Sequence, residues 1–373
     1  MKHIETDISV VGAGPAGLCA AVQAAGAGAR VMLFDENAKP GGQLFKQIHK
    51  FFGSREHRAG VRGFVIGEEL LKEVENCGAN VFLNSVVYGV FDGNTLGVIQ
   101  DEKLAYAVKS KKIILAGGAK ENYMAFPGST LPGVIGAGAA QTMINVNRVL
   151  PGEKVLMVGS GNVGLIVSYQ LMQAGAEVAA LVEAAPRIGG YGVHAGKIRR
   201  AGVPILLGHT ILEARGRDEV EEAVIAALDE KWTPVPGTER EVKCDTICLA
   251  VGLNPMTELA LMAGCEMTFI PTLGGHVPMH DDCMRTTAPG IYVAGDITGV
   301  EEASSAMEEG SLAGLSAACS LGFLDETSAR SRTDAVRNRL AALRSGTFGE
   351  KCGIAKKAQT EAFYEYEKKC GNI

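Results

Sequence analysis

The sequence predicts an α/β fold of two three-layer units, the second inserted in the first. Three observations carry this. A glycine turn of the form Gly-x-Gly-x-x-Gly follows a short apolar strand at Gly12 and again at Gly159. Each turn opens a helical stretch and leads to a second strand that ends in an acid, Asp35 in one case and Glu183 in the other. Each half then closes on a strand ending in glycine, Lys112–Gly118 and Asp245–Gly252, so the plan is an internal duplication.

In the first half, Ile8–Val11 is a short buried strand, Gly12-Ala-Gly14-Pro15-Ala16-Gly17 is the turn, and Leu18–Ala27 is an Ala-rich helix. A second strand, Arg30–Phe34, runs into Asp35 and Glu36. Gly12 allows the tight turn, Gly14 lets the backbone approach a pyrophosphate, and Gly17 lets helix and strand pack closely. The helix start offers free N–H groups and a positive dipole end to phosphates. Asp35 would accept hydrogen bonds from ribose hydroxyls. A bare glycine turn without a ligand is the competing reading, and the strand, helix and acid around it favour a Rossmann-like dinucleotide site.

The second half repeats the plan. Lys154–Val158 is the strand, Gly159-Ser-Gly161-Asn162-Val163-Gly164 the turn, and the helix runs to about Ala174 before Val178–Val182 ends at Glu183. Short strands follow each βαβ unit: Val81–Phe91, Leu96–Gln100 and Ala105–Lys109 first, then Ile205–Leu207, Ile211–Arg215 and Ala223–Leu228, with a turn region at Trp232–Arg240. Thr286–Asp296 is a strand leading to Gly295-Asp296, and a helix rich in small residues follows over Ala303–Leu321. This element has no partner in the second half, so it must complete one of the two sheets. The turns Phe126-Pro-Gly128, Leu131-Pro-Gly133 and Asn254-Pro255 mark the crossings. The expected division is 1–125 plus 253–325 for the first domain, 126–252 for the second, and a charged helical tail, 326–373, outside both cores.

The whole-chain properties narrow the function. A length of 373 residues, 47% apolar, suits two to three domains. The formal net charge of -6 argues against a nucleic-acid partner, which wants a basic face. No apolar run is long enough to span a membrane, and Met1–Asp7 leads straight into a strand without a signal core. Nine cysteines are scattered without a CxxC pair, which reads as reduced thiols of a cytoplasmic protein with no metal site. Cys244 and Cys248, four apart on a strand, are expected to face the same side, as buried thiols, with a disulfide or a metal site as the competing reading.

The order GAGPAG, acidic strand end, Gly41-Gly42-Gln43, AGG, GSGNVG, AVG and VAGD resembles flavoproteins of the thioredoxin-reductase type over about residues 1–325. Within that group, Phe126–Gln141 and Met284–Tyr292 resemble the flavoprotein alpha-type subunits of sarcosine oxidase, opine and hydroxyproline dehydrogenases, and hydrogen cyanide synthase. The resemblance implies FAD on Gly12, Gly14, Pro15, Ala16, Gly17, Asp35, Glu36, Gly42, Gln43, Ala116, Gly117, Gly295 and Asp296. It also implies a nicotinamide dinucleotide on Gly159, Gly161, Asn162 and Val163, with Glu183 on the ribose favouring NADH. The helix after Asp296 would aim its N-terminus at the flavin, where a positive dipole end favours the reduced anion.

Two departures sharpen the expectation. Thioredoxin reductases carry a redox-active CxxC where this chain has Ala137-Gly-Ala-Ala140. The tail holds only Cys352 and Cys370, too few for the iron–sulfur module of the larger relatives. The expected activity is hydride transfer between NAD(H) and FAD, with electrons passed to or from a second flavoprotein or an iron–sulfur protein. The rival is a stand-alone NADH-dependent reductase of a small acceptor or ferredoxin, and another is a flavoprotein that holds its second nucleotide only structurally. A homo-oligomer is compatible with each. The loop Phe45–His57, with Lys46 and His49 as candidate residues near the flavin, and the tail helices are the surfaces where a partner could sit.

Overall fold

A computed structural model describes residues 2–51 and 53–371, with the side chain of Phe348 left out. Met1, Phe52, Asn372 and Ile373, all within segments read above, lie outside the described residues. The chain divides into two compact units, one formed by residues 1–120 and 254–373 and the other by 121–253.

The first unit opens with β1 (Lys2–Val11), α1 (Pro15–Gly26), β2 (Val31–Phe34), α2 (Gly63–Asn76) and β3 (Asn80–Phe82). A hairpin of β4 (Ser85–Phe91) and β5 (Thr95–Gln100) leads into β6 (Leu104–Leu115). Their order is β3-β2-β1-β6-β5-β4, with β1, β2, β3 and β6 parallel. Helices cover this parallel layer, so its strands read as continuous apolar runs and the last six residues of β1 are buried. The two strands expected at Ala105–Lys109 and Lys112–Gly118 are one. The first half of β6 pairs antiparallel with β5, and its end, Ile113–Leu115, pairs parallel with Ile291–Val293. Ile291–Val293 therefore completes the first sheet.

The second unit holds α3 (Ala137–Thr142), α4 (Asn162–Ala174) and α5 (Gly192–Arg200). Its parallel sheet runs in the order 205–207, 177–183, 154–158, 246–249, 134–136. A separate antiparallel sheet is formed by 209–215, 222–227 and 240–243. Cys244 and Cys248 do not share a face. The strand begins only at Thr246, so Cys244 packs with Ile247 and Leu249 while Cys248 packs on the other side with Met157 and Leu165. Phe126 and Leu131 are partly buried against this unit's core.

The chain returns to the first unit through α6 (Glu258–Met262), α7 (Ala303–Ser320), α8 (Glu326–Leu343) and α9 (Gly346–Lys369). The small residues of α7 have a steric purpose: a Cβ on Gly310 would lie 2.0 Å from Ala16 O, and one on Gly314 would lie 2.3 Å from Ala20 O. Only glycine lets α7 come this close to α1. The tail does not lie outside the cores. In α8 Val336 joins the core of α1 and α7, and in α9 Phe363 is fully buried. Asp325 caps α8 by accepting from Ser328 N at 2.9 Å. Among the described residues no helix is long and apolar enough to cross a membrane.

Candidate functional site

The first glycine turn is fixed by close packing. A Cβ on Gly12 would sit 2.3 Å from Ala116 O, and one on Gly17 would sit 1.7 Å from Gly12 O. These two glycines shape the turn. Gly14 differs, because a Cβ there would meet only Gly42 Cα, at 4.0 Å. Gly14 is also the N-cap of α1, with Pro15 following and no side chain capping the helix, so first-turn N–H groups remain for a ligand. Asp35 is buried; its Oδ2 accepts from Ala13 N at 2.5 Å and its Oδ1 from Asn37 N at 2.8 Å. Asn37 Nδ2 donates to the same Oδ1 at 3.0 Å, so the free lone pair for a ribose hydroxyl is on Oδ2. Glu36 beside it is exposed, as are Gln43 and Gly117.

Three further segments converge on this turn. Gly41 N donates to Ala13 O at 2.7 Å, which lays Gly41-Gly42 over Gly14. Buried Ala116 lines the base of the turn. Gly295 lies against Ala16, where a Cβ would come within 2.8 Å of the Ala16 methyl carbon. Asp296, next to it, accepts from Glu301 N at 3.3 Å through Oδ1. It keeps some solvent access, yet burial pushes its carboxyl up to about 7. The uncapped start of α7, at Glu302, follows.

The second turn is built the same way. A Cβ on Gly159 would meet Ala250 O at 2.2 Å and one on Gly164 would meet Gly159 O at 2.1 Å, while one on Gly161 would meet nothing within 4 Å. Gly161 is the uncapped N-cap of α4. Glu183 Oε2 accepts from Ser160 N at 2.8 Å, and its Oε1 accepts from Ala185 N at 2.8 Å. Asn162 Oδ1 accepts from Tyr191 N at 2.9 Å, and Val163 is exposed.

Sequence reasoning missed Gly189 and Gly190. Gly190 N donates to Ser160 O at 2.8 Å and Gly189 N to Ser160 Oγ at 3.0 Å, so this pair lies over the second turn as Gly41-Gly42 lies over the first. The signal was present, because both pairs stand at the same offset from their acids.

The loop carrying Lys46 and His49 is half-buried, and the His49 ring stacks on Phe51 at 5.8 Å. His57, expected in an open docking loop, is instead buried. Its Nε2 lies 2.9 Å from Glu308 Oε1, and Arg339 of α8 donates to the same carboxylate at 2.7 and 2.9 Å. Asp281, Asp282 and Cys283 bring ligand-type atoms within 4.8 Å of one another, and Arg285 and Arg337 already pair with the two carboxylates. All nine cysteines are free, and α3 carries none.

Residues 6–310 match the family of pyridine nucleotide-disulphide oxidoreductases. The chain is 31% identical to hydrogen cyanide synthase subunit HcnB of Pseudomonas aeruginosa, across 82% of this chain and 69% of that protein. It is likewise 31% identical to an opine oxidase subunit of Agrobacterium tumefaciens, across 91% of this chain and 70% of the other. Among solved structures, T. acidophilum thioredoxin reductase shares the fold at a TM-score of 0.69 and 20% identity, across 85% of this chain and 99% of that one.

Proposed function

The chain belongs to the pyridine nucleotide-disulphide oxidoreductase family and is an FAD-dependent oxidoreductase, and we propose that it exchanges hydride between NAD(H) and FAD and passes electrons to or from a partner protein. The observation that carries this reading is the doubled cradle. Gly14 and Gly161 each stand open above an uncapped helix start, with an acid clamped to the residue between the first two glycines. A pyrophosphate suits such a place because neither helix start has a side-chain cap and each offers first-turn N–H groups and a positive dipole end.

When bound, FAD supplies a two-electron centre and the nicotinamide supplies or takes the hydride. The rest is what the protein's own residues do. Asp35 and Glu183 are held by backbone N–H groups, so each carboxylate is oriented before a ribose arrives. Glu183 favours NADH, because a 2′-phosphate would meet a carboxylate. Gly42, Ala116, Gly295 and Asp296 shape the flavin end of the first cradle.

The partner rests on two supports. The relatives at 31% identity are named as subunits, of hydrogen cyanide synthase and of opine oxidase. The chain's own thiols are all free, and α3 offers no cysteine pair to carry electrons onward. The test is co-purification from the native source followed by turnover: the isolated chain should reduce artificial dyes with NADH, yet oxidise no amine or imino acid unaided. Oxidation of such a substrate by the lone chain, at roughly 1–1000 per second, would contradict the reading that it works with a partner.

A further inference from the structure

Four charged side chains are enclosed together beneath Asp296. Glu309 of α7 is 1% exposed and Lys356 of α9 is 4% exposed. Arg344, at the end of α8, and Glu301, just before α7, complete the group. Glu309 is the hub. Its Oε2 accepts from Gly295 N at 2.8 Å and lies 2.9 Å from Thr298 Oγ1. Its Oε1 accepts from Lys356 Nζ at 2.8 Å and from Arg344 Nη2. Lys356 Nζ also donates to Thr298 O at 2.9 Å. Arg344 holds Glu301 through Nε at 3.1 Å, and the Glu301 N–H donates to Asp296. Both ends of the turn that carries Asp296 are thus tied to the tail, Gly295 through Glu309 and Glu301 through Arg344.

Enclosing four charges is a costly way to gain stability. Well-packed apolar side chains in their place are often as stabilising or more so, whereas deleting one member leaves an uncompensated charge. Their charges also cancel in pairs, which leaves Asp296 as the acid of this turn without an ion-pair partner among the described residues. Two further titratable groups face this cluster. Burial and Glu301 push the Cys352 thiol up, so it stays neutral. His280 is buried, with Nδ1 2.8 Å from Asp281 O and Nε2 without a partner. Burial and the nearby Lys356 push its pKa down, so it adds no charge near neutral pH. Lys356 pulls on the Asp296 proton in one direction, and Glu309 and Glu301 pull in the other.

Resting on the reading of the first cradle as the FAD site, we infer that Lys356 and Arg344 are positioning residues for FAD: acting through Glu309 and Glu301, the C-terminal tail fixes the Gly295–Asp296 turn and sets the charge it presents to the cofactor. The tail is then part of the flavin site, although it lies beyond the residues that match the family.

The test is FAD affinity of the stripped full-length protein as a function of pH. Wild type should show an inflection where Asp296 titrates. Lys356→Met should weaken FAD binding about tenfold near neutral pH and move the inflection upward by at least about half a unit, because a cation has been removed. Glu309→Gln should move it downward. Exposed Lys357, paired with Glu361, gives the control Lys357→Met with wild-type behaviour. A purely structural tail would lower affinity alike at every pH. Inflections unmoved, or displaced the same way in both variants, overturn the inference while leaving the FAD site intact. Should either variant not fold, the sign of the other decides. A wild-type chain that takes up no FAD overturns the site itself.

Discussion

Glu183 Oε2 accepts a hydrogen bond from Ser160 N at 2.8 Å, and Asp35 Oδ2 accepts the equivalent one from Ala13 N at 2.5 Å. In both units the acid at the strand end is clamped to the glycine turn it serves. A carboxylate fixed in this way cannot swing aside for a 2′-phosphate without losing its backbone donors. Like charges at that range cost on the order of 1–4 kcal/mol. Flavin reduction should therefore be at least about fivefold more efficient with NADH than with NADPH, and Glu183→Gln should narrow the gap. Equal efficiencies in the wild type would show that Glu183 does not face the ribose.

On the proposed reading, substitutions at the two open glycines should separate the two cofactors. Gly14→Val fills the space above α1 and should abolish FAD retention, whereas Gly161→Val should leave the protein yellow but unreduced by NADH. Flavin content measured by absorbance after desalting, followed by anaerobic NADH addition, checks both. Full flavin content in Gly14→Val would remove the first assignment.

Asp296 should make the apoprotein pH-sensitive. Burial raises its folded-state pKa from 3.8 to about 7, so between those values the folded chain holds a proton that the unfolded chain has lost. Stability from this group therefore falls as pH rises through that window and stays low above it. Asp296→Asn removes the penalty: the apo melting temperature should rise by at least about 3 °C near pH 8, and by less than half of that near pH 5. FAD affinity should fall in the same variant. Equal gains at both pH values would contradict the assignment.

Phe363 tests whether the tail belongs to the folded unit. It is fully buried, so Phe363→Ala should cost about 3–5 kcal/mol and lower the melting temperature of the first unit markedly. Unfolding at the wild-type temperature would mean that α9 is dispensable.

The sequence made the two glycine turns legible because each residue there answers a local demand: a tight turn, a close approach, an acid at a strand end. What it hid depends on distant partners. Lys356 and Arg344 look like solvent-facing charges along a polar tail, and nothing near them in sequence reveals Glu309 or Glu301. His57 likewise looked available, but its partner Glu308 lies on α7. The β6 strand was read as two because Ser110-Lys-Lys112 interrupts its apolar run, where the strand passes from hairpin to parallel layer. Cys244 and Cys248 were placed on one face by counting along a strand that begins only at Thr246. Gly189-Gly190 could have been found by applying the duplication one step further.

The central claim is that one chain carries NADH and FAD as a working redox pair. Anaerobic titration of the purified, flavin-loaded protein with NADH tests it most directly. The account predicts loss of the flavin absorbance band near stoichiometric NADH, at a rate compatible with turnover, roughly 1–1000 per second. A flavin that stays oxidised in excess NADH would contradict it, and would leave the second cradle as a structural nucleotide site.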